Sequence, residues 1–302
     1  MTANFADIEK LAHERATDPV LLACVEPHEP ALIVALDRAM KNRLVKPVLI
    51  GDETAIMNAA KEAGVETRGW ELVRSDDPNH SVYMAQELIH DNKVGGICKG
   101  VFGTQDFLSL LFERRLGFRV HPNLVSGVMV CKNDKLDRLL LISDPIVNPQ
   151  PELMDLVAIL NNSVALAHKL GNKQPKAAML AAVEVIYPQM PVTIEAAVIA
   201  KMADKNQIKG CLVDGPLSLD VALIESAAKD KGATGPVAGF ADILIGPNLA
   251  TSYGVYRAFA LYTKSDYGLL VVGGKVPCVI TSSFDSETVR YNSLLLAVVA
   301  AK

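Results

Sequence analysis

The chain has 302 residues, half of them hydrophobic and 21% charged, with a net charge of −4. That length suits one large or two medium α/β domains, and the composition supports a sizeable core and excludes extended disorder. No basic arm or Lys/Arg block is present, so a nucleic-acid partner is not expected. The longest apolar runs are far too short to span a bilayer, and the polar, amphipathic start MTANFADIEKLAHERA does not read as a signal peptide. The five cysteines, Cys24, Cys98, Cys131, Cys211 and Cys278, form no C-x-x-C pair. Their odd number and apolar neighbours predict reduced, buried thiols in a cytoplasmic protein. The six histidines, at 13, 28, 80, 90, 121 and 168, show no zinc-site spacing, and no metal ligand set is expected.

In chain order, periodicity predicts a helix over 5–16 with Phe5, Ile8, Leu11 and Ala12 on one face, then a strand over 21–25 closed by Glu26-Pro27. A helix over 30–42, a strand over 47–50, a helix over 54–63 stopped by Gly64, a short strand over 70–73 and a helix over 80–92 follow. A strand over 95–98 opens into Lys99-Gly100, and a helix from Thr104 to Arg115 takes Thr104 as its N-cap. This alternation is the signature of a wound α/β domain. Residues 125–131 and 138–142 read as an antiparallel hairpin around Asn133-Asp134-Lys135, after which the alternation restarts, so a domain boundary is placed near 143.

The second half opens with a long helix over 152–170, a strand over 176–180 and a helix over 193–205. The stretch from Gly210 to Arg257 is the most informative. Two short apolar runs, 211–213 and 243–245, read as buried strands closed by Asp214-Gly215-Pro216 and Gly246-Pro247-Asn248, with one helix over 218–231 between them. Strand–turn–helix–strand order predicts a parallel sheet. Gly- and Pro-rich strand ends admit a ligand closely, because no Cβ blocks the approach; as tight turns they need no ligand at all. A helix over 252–263, strands over 268–272 and 276–280, and a final helix over 286–301 complete the chain.

The run VDGPLSLDVAL…GPVAGFADILIGPNL resembles the phosphate acetyl/butyryl transferase family, most closely its butyryltransferase branch. The segments KPVLIGD (46–52), KGVFGTQDFL (99–108), DRLLLISDPIVNPQP (137–151), the stretch 181–210 and GGKVPCVITSS (273–283) extend the likeness over nearly the whole chain. It implies two wound α/β domains with a cleft between them, similar to the isocitrate and isopropylmalate dehydrogenase fold, here 1–142 with 286–302, and 143–285. It implies transfer of an acyl group between coenzyme A and inorganic phosphate by direct thiolate attack in a ternary complex. Coenzyme A is then a substrate, no cofactor is tightly bound, and the chain forms a homo-oligomer, dimer or larger.

That chemistry needs a base for the thiol proton, donors for the oxyanion and a cation or backbone N–H groups for phosphate. The candidate binding residues are Lys99 and Gly100 beyond a strand, Arg119 and Ser126 in GFR…LVSGVMV, Asp144 and Asn148, Glu184, Asp214, Gly215 and Pro216, and Asn248. Bland readings stand beside them: Lys99 and Arg119 as surface charges, Asp144 and Asn148 as caps of the next helix. The catalytic candidates are Ser282, Ser283 and Asp285.

Two departures bear on the site. Ser283 stands where the family carries an arginine that contacts phosphate or coenzyme A, and a hydroxyl offers no bidentate cationic fork. Beyond Asn248, the family's Glu-Ala-Gly-Asn is replaced by Ala250-Thr251-Ser252-Tyr253. The base of the acetyl branch has no counterpart, since Val289 falls near it; Asp285 or Glu287 stands in, or either is a helix N-terminal charge. The alternative is therefore a catalytically impaired or repurposed homologue that binds coenzyme A or an acyl ligand. A metal- and NAD-dependent dehydrogenase on the related fold would need converging aspartates that the sequence does not show.

Overall fold

The computed structural model describes residues 2–113, 117–120, 122–263 and 265–301. The chain divides into two compact units. The terminal unit comprises Phe5–Val125 and Tyr267–Lys302; the middle unit comprises Met1–Asn4 and Ser126–Asp266. These limits differ from the expected boundaries near 143 and 286. The hairpin over 126–143 goes with the middle unit because its second strand pairs with a strand at 243–245.

The terminal unit runs α1 (Phe5–Arg15), β1 (Val20–Val25), α2 (Pro30–Lys41), β2 (Val45–Gly51), α3 (Glu53–Ala63), β3 (Glu71–Arg74), α4 (Pro78–His90), β4 (Gly96–Lys99) and α5 (Thr104–Leu111). Asp52 caps α3 by accepting from Ala55 N, and Gly64 stops it in the left-handed conformation, φ 66°. Gly103, not Thr104, is the N-cap of α5; the expected end of that helix at Arg115 lies outside the described residues.

The middle unit continues with β5 (Ser126–Lys132), β6 (Leu139–Ser143), α6 (Leu153–Lys169), β7 (Lys176–Leu180), α7 (Pro191–Asp204), β8 (Leu212–Leu217), α8 (Leu219–Leu223), α9 (Glu225–Asp230), β9 (Ile243–Ile245) and α10 (Leu249–Tyr262). Its strand order is β5-β6-β9-β7-β8, with the hairpin β5–β6 antiparallel and the other pairs parallel. The single helix expected over 218–231 is broken at Ile224, which is extended at φ −118° and ψ 113°. The carbonyls of Val221 and Ala222 accept from Gly239 N and Ala241 N, so α8 is tied to the chain entering β9. Nor does Asp214-Gly215-Pro216 close a strand as expected: all three lie inside β8, across a register shift against β7 between Ala178 and Leu180.

The chain returns to the terminal unit with β10 (Asp266–Val272), β11 (Cys278–Ile280) and α11 (Glu287–Ala301). The strand order there is β3-β2-β1-β4-β11-β10, parallel except for β10 against β11. The carboxyl ends of β1, β2, β4 and β11 therefore share one edge. Helix α11 packs on α1 and α2, burying Val289, Tyr291, Leu294, Leu295 and Val298. No helix among the described residues is long and apolar enough to cross a membrane.

The glycine after β9 is fixed by packing. A Cβ on Gly246 would lie 2.2 Å from Ser252 Oγ, which donates to Ser143 O, and 3.1 Å from Ser252 N. Gly246→Ala forces α10 away from β6, and we expect it to lower stability by about 1–3 kcal/mol in urea unfolding.

Candidate active site

Each unit gathers chemistry at one strand-end edge. In the terminal unit, Lys99 ends β4 and is 5% exposed, so it is not the surface lysine the sequence allowed. Its Nζ donates to the carbonyls of Gly100 and Phe102, both at 3.0 Å. Burial pushes its pKa down. Gly100 is a glycine because a Cβ would lie 2.1 Å from Glu26 O. The close approach is thus to the end of β1, which Gly100 N and Val101 N join by hydrogen bonds to Val25 O and Glu26 O.

Beyond β11, Asp285 is 4% exposed and accepts from Ser282 N at 2.7 Å and Tyr267 OH at 2.7 Å. Neither an open base nor a simple helix-end charge, it closes the turn that carries Ser282 and Ser283. Ser283 is exposed. Beneath the turn lies Arg290 of α11, 2% exposed, which the sequence reading missed. Its guanidinium donates to Asp285 O (3.2 Å), Thr281 Oγ1 (2.9 Å) and Ser282 O (3.0 Å), and Nη1 is 2.8 Å from Glu29 Oε2. A guanidinium with this many fixed partners is a staple for the turn and does not replace the fork lost at Ser283. The available signal was a lone arginine in an otherwise apolar helical run.

Arg119 is not brought to this edge. It bridges Gly274 on the connection before β11, at the other end of that strand from Ser282, and its guanidinium lies 4.4 Å from the centre of the Phe112 ring. Arg119 is exposed, in keeping with a surface charge.

In the middle unit the carboxyl ends of β6, β7, β8 and β9 share an edge that holds Asp144, Asn148, Glu184 and Asn248. Asp144 is 3% exposed. Its Oδ1 accepts from Gly127 N, Ile146 N and Val147 N at 2.9, 2.9 and 3.0 Å. Its Oδ2 accepts from Asn148 N at 3.0 Å and Asn148 Nδ2 at 2.5 Å. Burial pushes the carboxyl up and these donors pull it partly back. Asp144 does not cap α6, as one reading had it; Glu152 does, in a capping box with Asp155. Ser126 is fully buried and accepts from Asn162 Nδ2 at 2.9 Å. It therefore supports this edge from beneath.

Asn248 is the N-cap of α10, accepting from Thr251 N at 2.9 Å. Glu184 accepts from Ser218 Oγ and pairs with Lys231 Nζ at 3.2 Å, and Lys231 also pairs with Asp220 at 3.0 Å. The Ser218 bond and Lys231 hold Glu184's pKa below the usual carboxylate value. Asp214 accepts from Gly215 N at 2.8 Å, and burial pushes its carboxyl up. It lines a cavity of ≈ 570 Å³ with Lys173, Lys209 and Cys211. Gly215 is small because β7 packs on it: a Cβ would lie 2.7 Å from Met179 Cβ. Pro216 follows inside β8.

Replacing Asp144 with alanine strands four buried or half-buried backbone donors. We expect Asp144→Ala to lose more than about 3 kcal/mol of stability in urea unfolding, from several charge-assisted hydrogen bonds of about 1.5–3 kcal/mol each.

A family model described as "Phosphate acetyl/butaryl transferase" matches residues 76–298. The phosphate butyryltransferase of Clostridium acetobutylicum is 39% identical over 301 residues, covering 100% of this chain and 99% of that protein. Among solved structures, a branched-chain phosphotransacylase from Enterococcus faecalis V583 superposes with a TM-score of 0.80 at 27% identity, covering 93% of this chain and 99% of that one. A 4-hydroxythreonine-4-phosphate dehydrogenase from Klebsiella pneumoniae reaches a TM-score of 0.57 at 12% identity over 94% of this chain and 100% of that one, a likeness of fold alone. By sequence over its full length, the chain belongs to the phosphate acetyl/butyryl transferase family.

Proposed function

We propose that the protein is a phosphate acyltransferase that moves an acyl group between coenzyme A and inorganic phosphate, by direct attack of the thiolate on the acyl phosphate. The observation that carries this reading is the 39% identity, over both full lengths, to the phosphate butyryltransferase of Clostridium acetobutylicum. Coenzyme A is a substrate on this reading, and no cofactor is held between turnovers. The terminal-unit edge supports it with a buried lysine, Lys99, and with the exposed Ser283 on a turn fixed by Asp285 and Arg290. Ser282 and Ser283 supply hydroxyls toward phosphate or the oxyanion, and Asp285 acts by holding their turn. Asp144 and Asn148 shape the middle-unit edge in the same indirect way. The five free cysteines support a cytoplasmic setting. A homo-oligomer would cover the exposed apolar side chains of Val185, Ile186, Tyr187 and Ile194.

One observation favours the second reading, an impaired or repurposed homologue that binds coenzyme A or an acyl ligand. The charges nearest Ser283, Asp285 and Arg290, are committed to each other's turn and leave the anion without an open arginine there. An assay with a panel of acyl-CoAs separates the two. Phosphate-dependent release of free thiol is the expected result; calorimetric coenzyme A binding without turnover would mean the second. Ser283→Arg restores the missing fork at an exposed position, and we expect it to raise the transferase rate by roughly ten- to a hundredfold. No gain in a folded variant would mean that the turn serves another purpose.

A further inference from the structure

The segment Glu26-Pro27-His28-Glu29-Pro30 follows β1 at the same edge as Lys99 and Ser282. Glu26 is 3% exposed and has φ 48°, the left-handed region that a side chain ordinarily avoids. Such backbone persists where the surroundings over-determine it, and it concentrates at working sites. The surroundings here are specific. Glu26 Oε1 accepts from Ser81 Oγ at 2.5 Å. Gly51, at the end of β2, leaves room for the carboxylate, since a Cβ there would lie 2.8 Å from Oε2. The Glu26 carbonyl accepts from Val101 N. What remains is Oε2, and it lies 3.5 Å from His28 Nδ1.

His28 Nδ1 is buried and has no hydrogen-bond partner, while the side chain as a whole is 27% exposed. The exposed part of the ring is therefore the part away from Nδ1. Pro27 and Pro30 bracket the residue, and Pro30 opens α2, so the backbone that presents the ring is stiff. The other titratable groups of this edge are already engaged. Glu29 is paired with Arg290, Asp285 with Ser282 N and Tyr267 OH, Asp52 with Ala55 N, and Lys99 with two carbonyls.

We propose, on the acyltransferase reading above, that His28 oriented by Glu26 is the group that exchanges the proton of the coenzyme A thiol. A carboxylate facing Nδ1 at 3.5 Å favours the proton on that nitrogen and leaves Nε2 as the acceptor. A 3.5 Å separation is the loose spacing expected before substrate closes the site. In the direction of acyl-CoA formation, the S–H proton passes to Nε2 and sulfur bonds to the acyl carbon. The bond from that carbon to the phosphate oxygen breaks, and phosphate leaves with the electron pair. The imidazolium then returns its proton to phosphate or water. In reverse, the imidazolium protonates the departing thiolate. His28 is thus a catalytic residue and Glu26 a positioning residue.

The test is the pH dependence of turnover in the direction of acyl-CoA formation, with coenzyme A and butyryl phosphate, for the full chain, His28→Asn and Glu26→Gln. His28→Asn is expected to lose about 10²–10⁴-fold in kcat, keep its KM for butyryl phosphate, lose the acidic limb of the profile, and regain part of its rate with added imidazole. Glu26→Gln removes a negative charge beside the imidazole, which disfavours the imidazolium, so its acidic limb moves to lower pH. Glu26→Asp restores the limb toward that of the parent. Glu29, Asp52, Lys99, Asp285 and Arg290 remain in place throughout, so the limb reports on this pair. A folded His28→Asn with the parent's rate and profile overturns the assignment. If that variant does not fold, an unmoved limb in Glu26→Gln overturns it instead. A parent chain that releases no thiol from any acyl-CoA with phosphate sinks the acyltransferase reading and takes this proposal with it, whereas an active parent with indifferent variants sinks the proposal alone.

Discussion

The terminal unit depends on one buried charge. Arg290 sits at 2% exposure in a helix whose neighbours are Val289, Tyr291, Leu294 and Leu295. A guanidinium is retained in such a place only where its donors are met, because an unpaired buried charge costs several kcal/mol. Its partners come from three places in the sequence: Glu29 after β1, Thr281 and Ser282 after β11, and the carbonyl of Asp285. One side chain from the C-terminal helix therefore sets the distance between two strand-end segments. Ser282, Ser283 and the segment carrying Glu26 and His28 take their places from it.

The middle unit solves the same problem with the opposite sign. Asp144 collects five donors, four of them backbone N–H groups, and holds the turn over 144–148 against the start of β5 at Gly127. Arg290 and Asp144 each bond to several groups of the loops around them. Both are invested in keeping loops in place, and a reacting group has to be held within a fraction of an ångström of its working position. The glycines follow the same logic. Gly100, Gly215 and Gly246 are small so that a neighbouring strand or helix can approach, whereas the place at strand ends expected of them from sequence suggested an approach by substrate.

Most of the fold was legible in the sequence because burial imposes periodicity. The strands at 20–25, 45–51, 176–180 and 243–245 are short apolar runs between turns, and the long helices carry one apolar face. What was not legible rested on tertiary bonds. The helix expected over 218–231 breaks at Ile224 because Gly239 N and Ala241 N take carbonyls of α8, a partnership between residues about twenty apart. Pro216 and Gly215 read as punctuation yet lie within β8, which has β7 on one side and tolerates a register shift. The candidate site was legible as a set of strand-end loops and not as roles. Asp144, Asp285 and Asn248 have the right residue types for chemistry, but each accepts from backbone N–H groups nearby, Asp144 from the Asn148 amide and Asp285 from the Tyr267 hydroxyl as well. Arg290 and the Glu26–His28 pair escaped notice because their importance lies in which atoms are buried and which are left over.

The claim that Arg290 and Glu29 together pin the strand-end segments is tested most directly by a double-mutant cycle on urea unfolding, using Glu29→Gln, Arg290→Met and both. A desolvated, hydrogen-bonded pair predicts a coupling above about 1 kcal/mol, with the double variant losing less than the two single losses combined. Additive losses, within about 0.5 kcal/mol, would show that the pair carries no mutual energy and would contradict its role as the staple of the site.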